Sequence, residues 1–205
     1  IRTPLNAIVG FSDIVAETQD EDEKKEYLEI IHKNNDLLLH LIDDILDFSK
    51  IESGTLDYHI SEMNIKEICE EVFLASSLKM KPKVKLVFDK ELPSIRLKTD
   101  PQRVMQVISN FVNNAIKFTE KGSITISYKR EGNYLRVNVQ DTGIGISEDD
   151  RKRIFERFIK INEFKQGTGL GLTISRTIIE SLNGAIGVDS VKGSGSTFWF
   201  TLPLE

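Results

Sequence analysis

Residues 22–52 carry an apolar stripe too wide for one partner helix to cover. Leu28, Ile31, Leu38, Ile42 and Ile45 recur at helical spacing, and Tyr27, Ile30, Leu37, Leu41, Phe48 and Ile51 widen the stripe, with Asn34 and Asn35 interrupting it. A helix apolar over that arc must face two neighbours. One is supplied upstream, where Ile1, Leu5, Ile8, Phe11 and Val15 step by three or four residues. The polar, acidic stretch 19–23 marks the turn between the two helices. Two helices leave much of the stripe in water, whereas two such hairpins paired as a four-helix bundle bury it. Residues 1–60 therefore predict a helical hairpin that forms a homodimer. Ser53-Gly54 closes the second helix, and 53–63 reads as a linker. Pro4 is expected to bend the first helix, because it removes an amide and clashes with the preceding turn.

Charge divides the 205 residues at about the same place. Residues 1–60 hold 14 acidic and 5 basic side chains, whereas 61–205 hold 18 acidic and 22 basic. Two modules with different partners follow. The mild basic excess of the second suits a small anion better than a nucleic-acid duplex, which calls for a dense basic stripe. Cys69 is the only cysteine, which excludes an internal disulfide and a cysteine zinc site. No apolar run approaches the roughly 20 residues that span a bilayer, and no signal peptide is visible. The chain reads as a soluble, cytoplasmic piece of a longer protein, since it begins at Ile1 without a methionine.

Residues 61–205 mix helix and strand. Ile65, Ile68, Cys69, Val72 and Phe73 have helical spacing, as do Val104, Val107, Ile108, Phe111, Val112 and Ile116, and a third helix runs over 170–182 to Asn183-Gly184. Val84, Leu86 and Phe88 alternate as in a strand. Ile124, Ile126 and Tyr128, then Leu135, Val137 and Val139, form a hairpin around Glu131-Gly132-Asn133. Ile186 and Val188, then Phe198 and Phe200, make two last strands. The order predicts an α+β sandwich, not a doubly wound parallel fold.

Two glycine-rich segments stand out: Asp141-Thr142-Gly143-Ile144-Gly145-Ile146 directly after a strand, and Gly167-Thr168-Gly169-Leu170-Gly171-Leu172 opening a helix. Leu172 breaks the dinucleotide G-x-G-x-x-G pattern, and no Gly-Lys pair exists for a Walker A loop. Such glycines can simply make turns. Here they flank Arg151, Lys152, Arg153, Arg157, Lys160 and Lys165, and glycine lets backbone amides and a helix N-terminus approach phosphate. Ser147 and Asp150 predict a helix start, with the helix running to Phe158 inside a mobile lid between Gly145 and Gly167. Upstream, Asn110, Asn114 and Lys117 share one face of an otherwise apolar helix. They could bridge a loop, or an amide oxygen could hold Mg²⁺ while the lysine reaches phosphate.

Together these segments resemble the sensor histidine kinases. The run from Asn110 to Thr119 resembles their N box, the Asp141 segment the G1 box, Phe155-Glu156-Arg157-Phe158 the F box, and the Gly167 segment the G2 box. Ile1-Arg2-Thr3-Pro4-Leu5-Asn6 resembles the tail of the H box. The resemblance covers almost the whole chain, and five motifs in order are highly specific. It implies a dimerisation and phosphotransfer hairpin followed by an ATP-binding domain of the Bergerat type. It implies ATP and Mg²⁺ as ligands and a response-regulator receiver domain as partner. Nucleic acid is not implied, and any membrane anchor lies outside these residues.

By resemblance, Asp141 accepts from the adenine amino group, Asn114 holds Mg²⁺ with Asn110 beside it, and Lys117 neutralises phosphate. Gly143 and Gly145 let the chain pass close to the base. Gly167, Thr168, Gly169, Leu170 and Gly171 shape the lid end and donate amides. Arg157 and Lys160 are candidates for the γ-phosphate. Thr3 places a water for dephosphorylating an aspartyl phosphate. In that family a histidine and an acidic residue precede the Ile-Arg-Thr-Pro-Leu run, and here that run opens the sequence. His32, His40 and His59 lack that context. Two rival readings are a Bergerat-type ATPase of another class, which gives no reason for the hairpin, and a non-enzymatic dimerisation module, which should have lost Asn114 or Asp141.

Overall fold

The computed structural model describes residues 1–157, 159 and 169–204. It falls into two compact units, Ile1–Thr55 and the part from Leu56 onward.

The first unit is an α-helical hairpin of α1 (Arg2–Glu17) and α2 (Glu21–Glu52). Asp20 caps α2, its carboxylate accepting from the amides of Asp22 at 2.8 Å and Glu23 at 3.3 Å. Glu21, Asp22 and Glu23 complement the helix dipole in the first turn. Phe11 stacks on Tyr27 with ring centroids 5.6 Å apart. Asn34 does not break α2, because its Nδ2 donates to the Ile30 carbonyl within the helix at 2.8 Å. α1 runs unbroken from Arg2 to Glu17, with Pro4 in its first described turn. Gly54, at φ +67°, ends α2. Pro4 is the only fully buried residue of α1, and α2 has none. Leu5, Val9, Leu28, Leu39, Ile42, Ile45 and Leu46 are all more than two-fifths exposed.

The second unit is a two-layer sandwich. Its elements are β1 (Ser61–Asn64), α3 (Ile65–Ser77), β2 (Val84–Phe88), β3 (Arg96–Thr99), α4 (Pro101–Phe118), β4 (Gly122–Glu131), β5 (Tyr134–Asp141), α5 (Glu148–Arg153), α6 (Gly171–Ser181), β6 (Ala185–Val191) and β7 (Gly195–Pro203). Five strands form one sheet in the order β2-β4-β5-β7-β6, with β2 parallel to β4 and the other pairs antiparallel. Its buried face carries Ile124, Ile126 and Tyr128, Leu135, Val137 and Val139, and Phe198, Phe200 and Leu202. Against it lie the apolar stripes of α3, α4 and α6. Phe111 is central, with its ring 5.3 Å from Phe198 and 6.3 Å from Phe200.

Two details differ from the sequence reading. The stretch 53–63 is not all linker, because β1 begins at Ser61 and pairs antiparallel with β3, Ser61 opposite Thr99. The helix after Ser147 stops at Arg153, short of Phe158. Ser147 Oγ accepts from the Asp150 amide as its spacing predicts. The Phe155 carbonyl then takes the Thr173 hydroxyl at 3.2 Å, and Glu156 N closes a tight turn on Arg153 O at 2.8 Å.

Candidate functional site

Asp141 is the anomaly of the sheet. Along β5 the residues facing the helices are Leu135, Val137, Val139 and then Asp141, so period-two alternation places a carboxylate where the core calls for a hydrocarbon. It is 5% exposed. Burial pushes its pKa above the ordinary carboxylate value, partly offset by the Gly143 amide, which donates to Oδ1 at 2.8 Å, and by the Ser196 amide on β7. An apolar residue would spare this desolvation, so the carboxylate must serve something other than packing.

The segment after Asp141 is clamped by the protein itself. Thr142 N donates to Ser123 O at 3.1 Å, and Thr142 Oγ1 accepts from Ser123 N at 3.0 Å. Ile144 N reaches Phe118 O at the end of α4, and Ile144 O accepts from Gly193 N at 2.7 Å. Ile146 N donates to Ser190 Oγ at 2.8 Å. A Cβ on Gly143 would lie 2.6 Å from the Phe118 carbonyl oxygen, and one on Gly145 would overlap the Val191 carbonyl. Gly145 also has φ +64°. These glycines are therefore demanded by contacts within the fold, a reason the sequence did not disclose.

The end of α4 that meets this segment carries the polar row. Asn110 Nδ2 donates to Ser175 Oγ on α6 at 2.9 Å, and Asn114 Nδ2 donates to Asn110 Oδ1 at 3.5 Å. Lys117 Nζ lies 5.0 Å from the Phe118 ring centroid. Thr119 Oγ1 is buried without a hydrogen-bond partner among the described residues. Asn114 Oδ1 accepts no hydrogen bond from them either, which leaves a hard oxygen of the kind Mg²⁺ takes. Among the described residues there is no group of three His, Cys, Asp or Glu side chains able to hold a metal. A cation here would take most of its ligands from phosphate and water, as Mg²⁺ in nucleotide sites does.

The second glycine segment is described from Gly169 onward. Gly169 has φ +75°, Leu170 is buried, and α6 begins at Gly171 with no side-chain cap among the described residues. A Cβ at Gly171 would sit 2.6 Å from Asn110 Oδ1. The structure thus joins Asp141, Gly143, Gly145, Asn110, Asn114, Lys117 and Gly171 around the C-terminal half of α4. Arg157 lies exposed in the turn after α5. Lys160, Gly167 and Thr168, and most of the expected lid, lie outside the described residues. In the first unit Thr3 is exposed in the first turn of α1, and His32 and His40 are exposed on α2. The exposed His59 belongs to the second unit, and its amide donates to Asp100 Oδ2 at 2.8 Å. Sequence reasoning missed Ser123, Thr142, Ser175, Ser190 and Ser196. An isolated small hydroxyl carries no periodicity of its own, so nothing in the sequence marked them.

Known proteins are similar to this chain in sequence and in fold. Residues 99–205 match the family described as histidine kinase-, DNA gyrase B- and HSP90-like ATPase, and residues 1–54 match the His Kinase A (phospho-acceptor) domain. The sensor protein GacS of Pseudomonas syringae pv. syringae is 40% identical over all of this chain, which covers 24% of GacS. Full-length ShkA in complex with AMPPNP superposes with a TM-score of 0.76 at 30% identity, over 98% of this chain and 43% of that one. The histidine kinase ThkA in complex with the response regulator protein TrrA gives 0.72 at 27% identity, over 100% of this chain and 58% of that one. The chain spans about a quarter of the length of the curated relatives it matches.

Proposed function

The chain belongs to the histidine kinase-, DNA gyrase B- and HSP90-like ATPase family and is the catalytic core of a sensor histidine kinase, and from that premise we propose how it works. It binds ATP, transfers the γ-phosphoryl group to a histidine ahead of Ile1, and passes it on to an aspartate of a response-regulator receiver domain. The observation that carries this reading is the buried carboxylate of Asp141, held by two backbone amides at the end of the core face of β5. A carboxylate so fixed accepts a hydrogen bond from an exocyclic amine such as that of adenine.

The other roles follow from position. Asn114, with Asn110 behind it, offers an amide oxygen to Mg²⁺. Lys117 brings positive charge to phosphate. Gly169, Leu170 and Gly171, with Gly167 and Thr168 before them, present amides at the start of α6. Gly143 and Gly145 hold the base-side turn. Arg157 and Lys160 serve the γ-phosphate. Bound Mg²⁺ would neutralise charge on the phosphates, leaving the protein the work of positioning. The histidine attacks phosphorus through one ring nitrogen, while a neighbouring carboxylate orients the other. Thr3 orients a water for the reverse traffic, dephosphorylation of the receiver aspartate.

The apolar surface left on α1 and α2 supports a homodimer through the hairpin, and ThkA, a structural neighbour, is seen with a response regulator. No helix among the described residues is long and apolar enough to cross a membrane. We place this core in the cytoplasm, with any anchor in segments of the parent protein outside these residues.

The test uses the chain preceded by His-Glu and incubated with γ-labelled ATP. Acid-labile label is expected, and Asn114→Ala should abolish it while helicity is kept. Undiminished labelling of Asn114→Ala would overturn its role. Acid-labile label on the chain without the added pair would move the acceptor to His32, His40 or His59.

A further inference from the structure

The chain leaves the hairpin and enters the second unit through a short stretch fastened at both ends. On the hairpin side α2 closes on itself, with Gly54 N donating to Ile51 O at 3.1 Å and Thr55 N to Lys50 O at 2.9 Å. These bonds satisfy carbonyls of the last helical turn and hold the backbone as far as Thr55. On the other side the first fastened group is the amide of His59, which donates to Asp100 Oδ2 at 2.8 Å. β1 follows, with Ser61 opposite Thr99. Between the two fastenings Leu56, Asp57 and Tyr58 make no hydrogen bond with the described residues.

Asp100 is 2% exposed, and its two oxygens serve two different segments. Oδ1 accepts from Arg103 N at 3.1 Å and caps α4, the helix that carries Asn110, Asn114 and Lys117, while Oδ2 takes the incoming chain at His59. Both donors are backbone N–H groups and both acceptors are carboxylate oxygens, so the direction of each bond is fixed by chemistry. A cap alone needs one oxygen, which serine supplies as well. The second oxygen has its use in the bond to His59. We infer that Asp100 is a positioning residue for phosphoryl transfer: by pinning His59 to the start of α4 it ends the hinge between the two units at Tyr58, and so limits how far bound ATP ranges from the histidine. A hinge of three residues spans at most about 11 Å, and release of His59 would free the chain up to β1, five residues and about 18 Å. The effective concentration of one end of a tether at the other falls with the −3/2 power of its length or more steeply, which makes this change about twofold or more. The inference rests on transfer to a histidine ahead of Ile1 and adds the residue that sets the reach.

The experiment is labelling of the whole chain, preceded by His-Glu, at varied concentrations of γ-labelled ATP. Asp100→Ser keeps a capping oxygen for α4 and leaves none for His59. It should lower the maximal labelling rate about twofold or more with KM for ATP unchanged, and hydrogen exchange should find the His59 amide released. His59→Ala, which keeps the amide, should leave rate and KM as they were. Two glycines inserted between Asp57 and Tyr58 lengthen the hinge to the same five residues without touching Asp100 or the cap, and should lower the rate by a similar factor. An unchanged or higher maximal rate in Asp100→Ser overturns the inference, as does a His59 amide that exchanges no faster in it. A rise in KM with the maximal rate kept overturns it too, because a residue that merely starts α4 acts on the nucleotide site and not on reach. An insertion that leaves the rate intact, or a loss of equal size in His59→Ala, counts against it as well. Absence of label on the unaltered chain with its His-Glu pair would instead overturn the reading of the acceptor on which it stands.

Discussion

In the second unit α4 hides six side chains over 18 residues, whereas in the first α2 runs for 32 residues and hides none completely. The two helices are built from similar proportions of Leu, Ile, Val and Phe, so composition is not the difference. α4 has a sheet beneath it and α6 beside it, while within its own unit α2 packs on α1. The second unit can close its core within one chain. In the proposed homodimer the first closes its core against a second copy, and its stability would be tied to the concentration of that partner. A signalling core divided in this way keeps its chemistry on a self-sufficient scaffold and its assembly on one that needs a second copy.

The largest test of that contrast strikes the closed core. Phe111→Ala should cost about 3–5 kcal/mol, the range for deleting a fully buried aromatic ring. The thermal melt of the second unit should fall, and ATP binding with it, while the helical signal of the hairpin persists. A single transition shifted as a whole would show that the two units are not independent.

The next test strikes the open core. Ile42→Ala combined with Ile45→Ala should weaken dimerisation by roughly 1.5–3 kcal/mol for each fully buried side chain lost, less the methyl that remains. Light scattering at micromolar concentration should then report a mass falling from twice 23.3 kDa towards 23.3 kDa, with nucleotide affinity unchanged. An unaltered mass would place the dimer contact on another face.

The finest test separates function from stability inside the second unit. Asp141→Asn should weaken ATP binding by about 1–3 kcal/mol through loss of a charged hydrogen bond, yet raise the stability of the nucleotide-free protein at neutral pH. The sign follows from the raised pKa of Asp141. A carboxyl whose folded pKa lies above its unfolded value stabilises the fold fully below the unfolded value, and that contribution is lost as pH rises through the folded one. Melting at neutral and acidic pH should show the variant's advantage fading as the wild-type carboxyl is protonated. An advantage independent of pH would locate the effect elsewhere.

Most of this architecture was legible where a single period ran long. The stripes of α2 and α4 and the alternation of β4 and β5 each carry enough apolar positions to declare themselves. β1 and β3 did not, because four residues such as Ser61-Glu62-Met63-Asn64 show one buried side chain, too few to define a period. The reach of α5 was not legible: Glu156 N closes a turn on Arg153 O, and the Phe155 carbonyl beyond it takes a hydroxyl 18 residues away, Thr173, which no local pattern announces. In the site, the Asn110–Lys117 row was visible as a polar face on an otherwise apolar helix, and Asp141 as the head of the glycine segment that follows a strand. Ser175 was not, since a lone serine in a helix has no pattern until Asn110 is found beside it.

The strand order has a consequence for how such a chain comes into being. β7 follows every other strand in the chain, yet it lies inside the sheet between β5 and β6, with Asp141 opposite Ser196. A chain emerging from the ribosome exposes the hairpin before the second unit, while β5, paired with β4, and β6 each lack a neighbour until β7 is available. Pairing over such distances is slow because the loop must close before any contact repays it. The Asp141 carboxylate cannot gain its Ser196 amide before that last insertion. On the role proposed for Asp141, base recognition would await completion of the sheet.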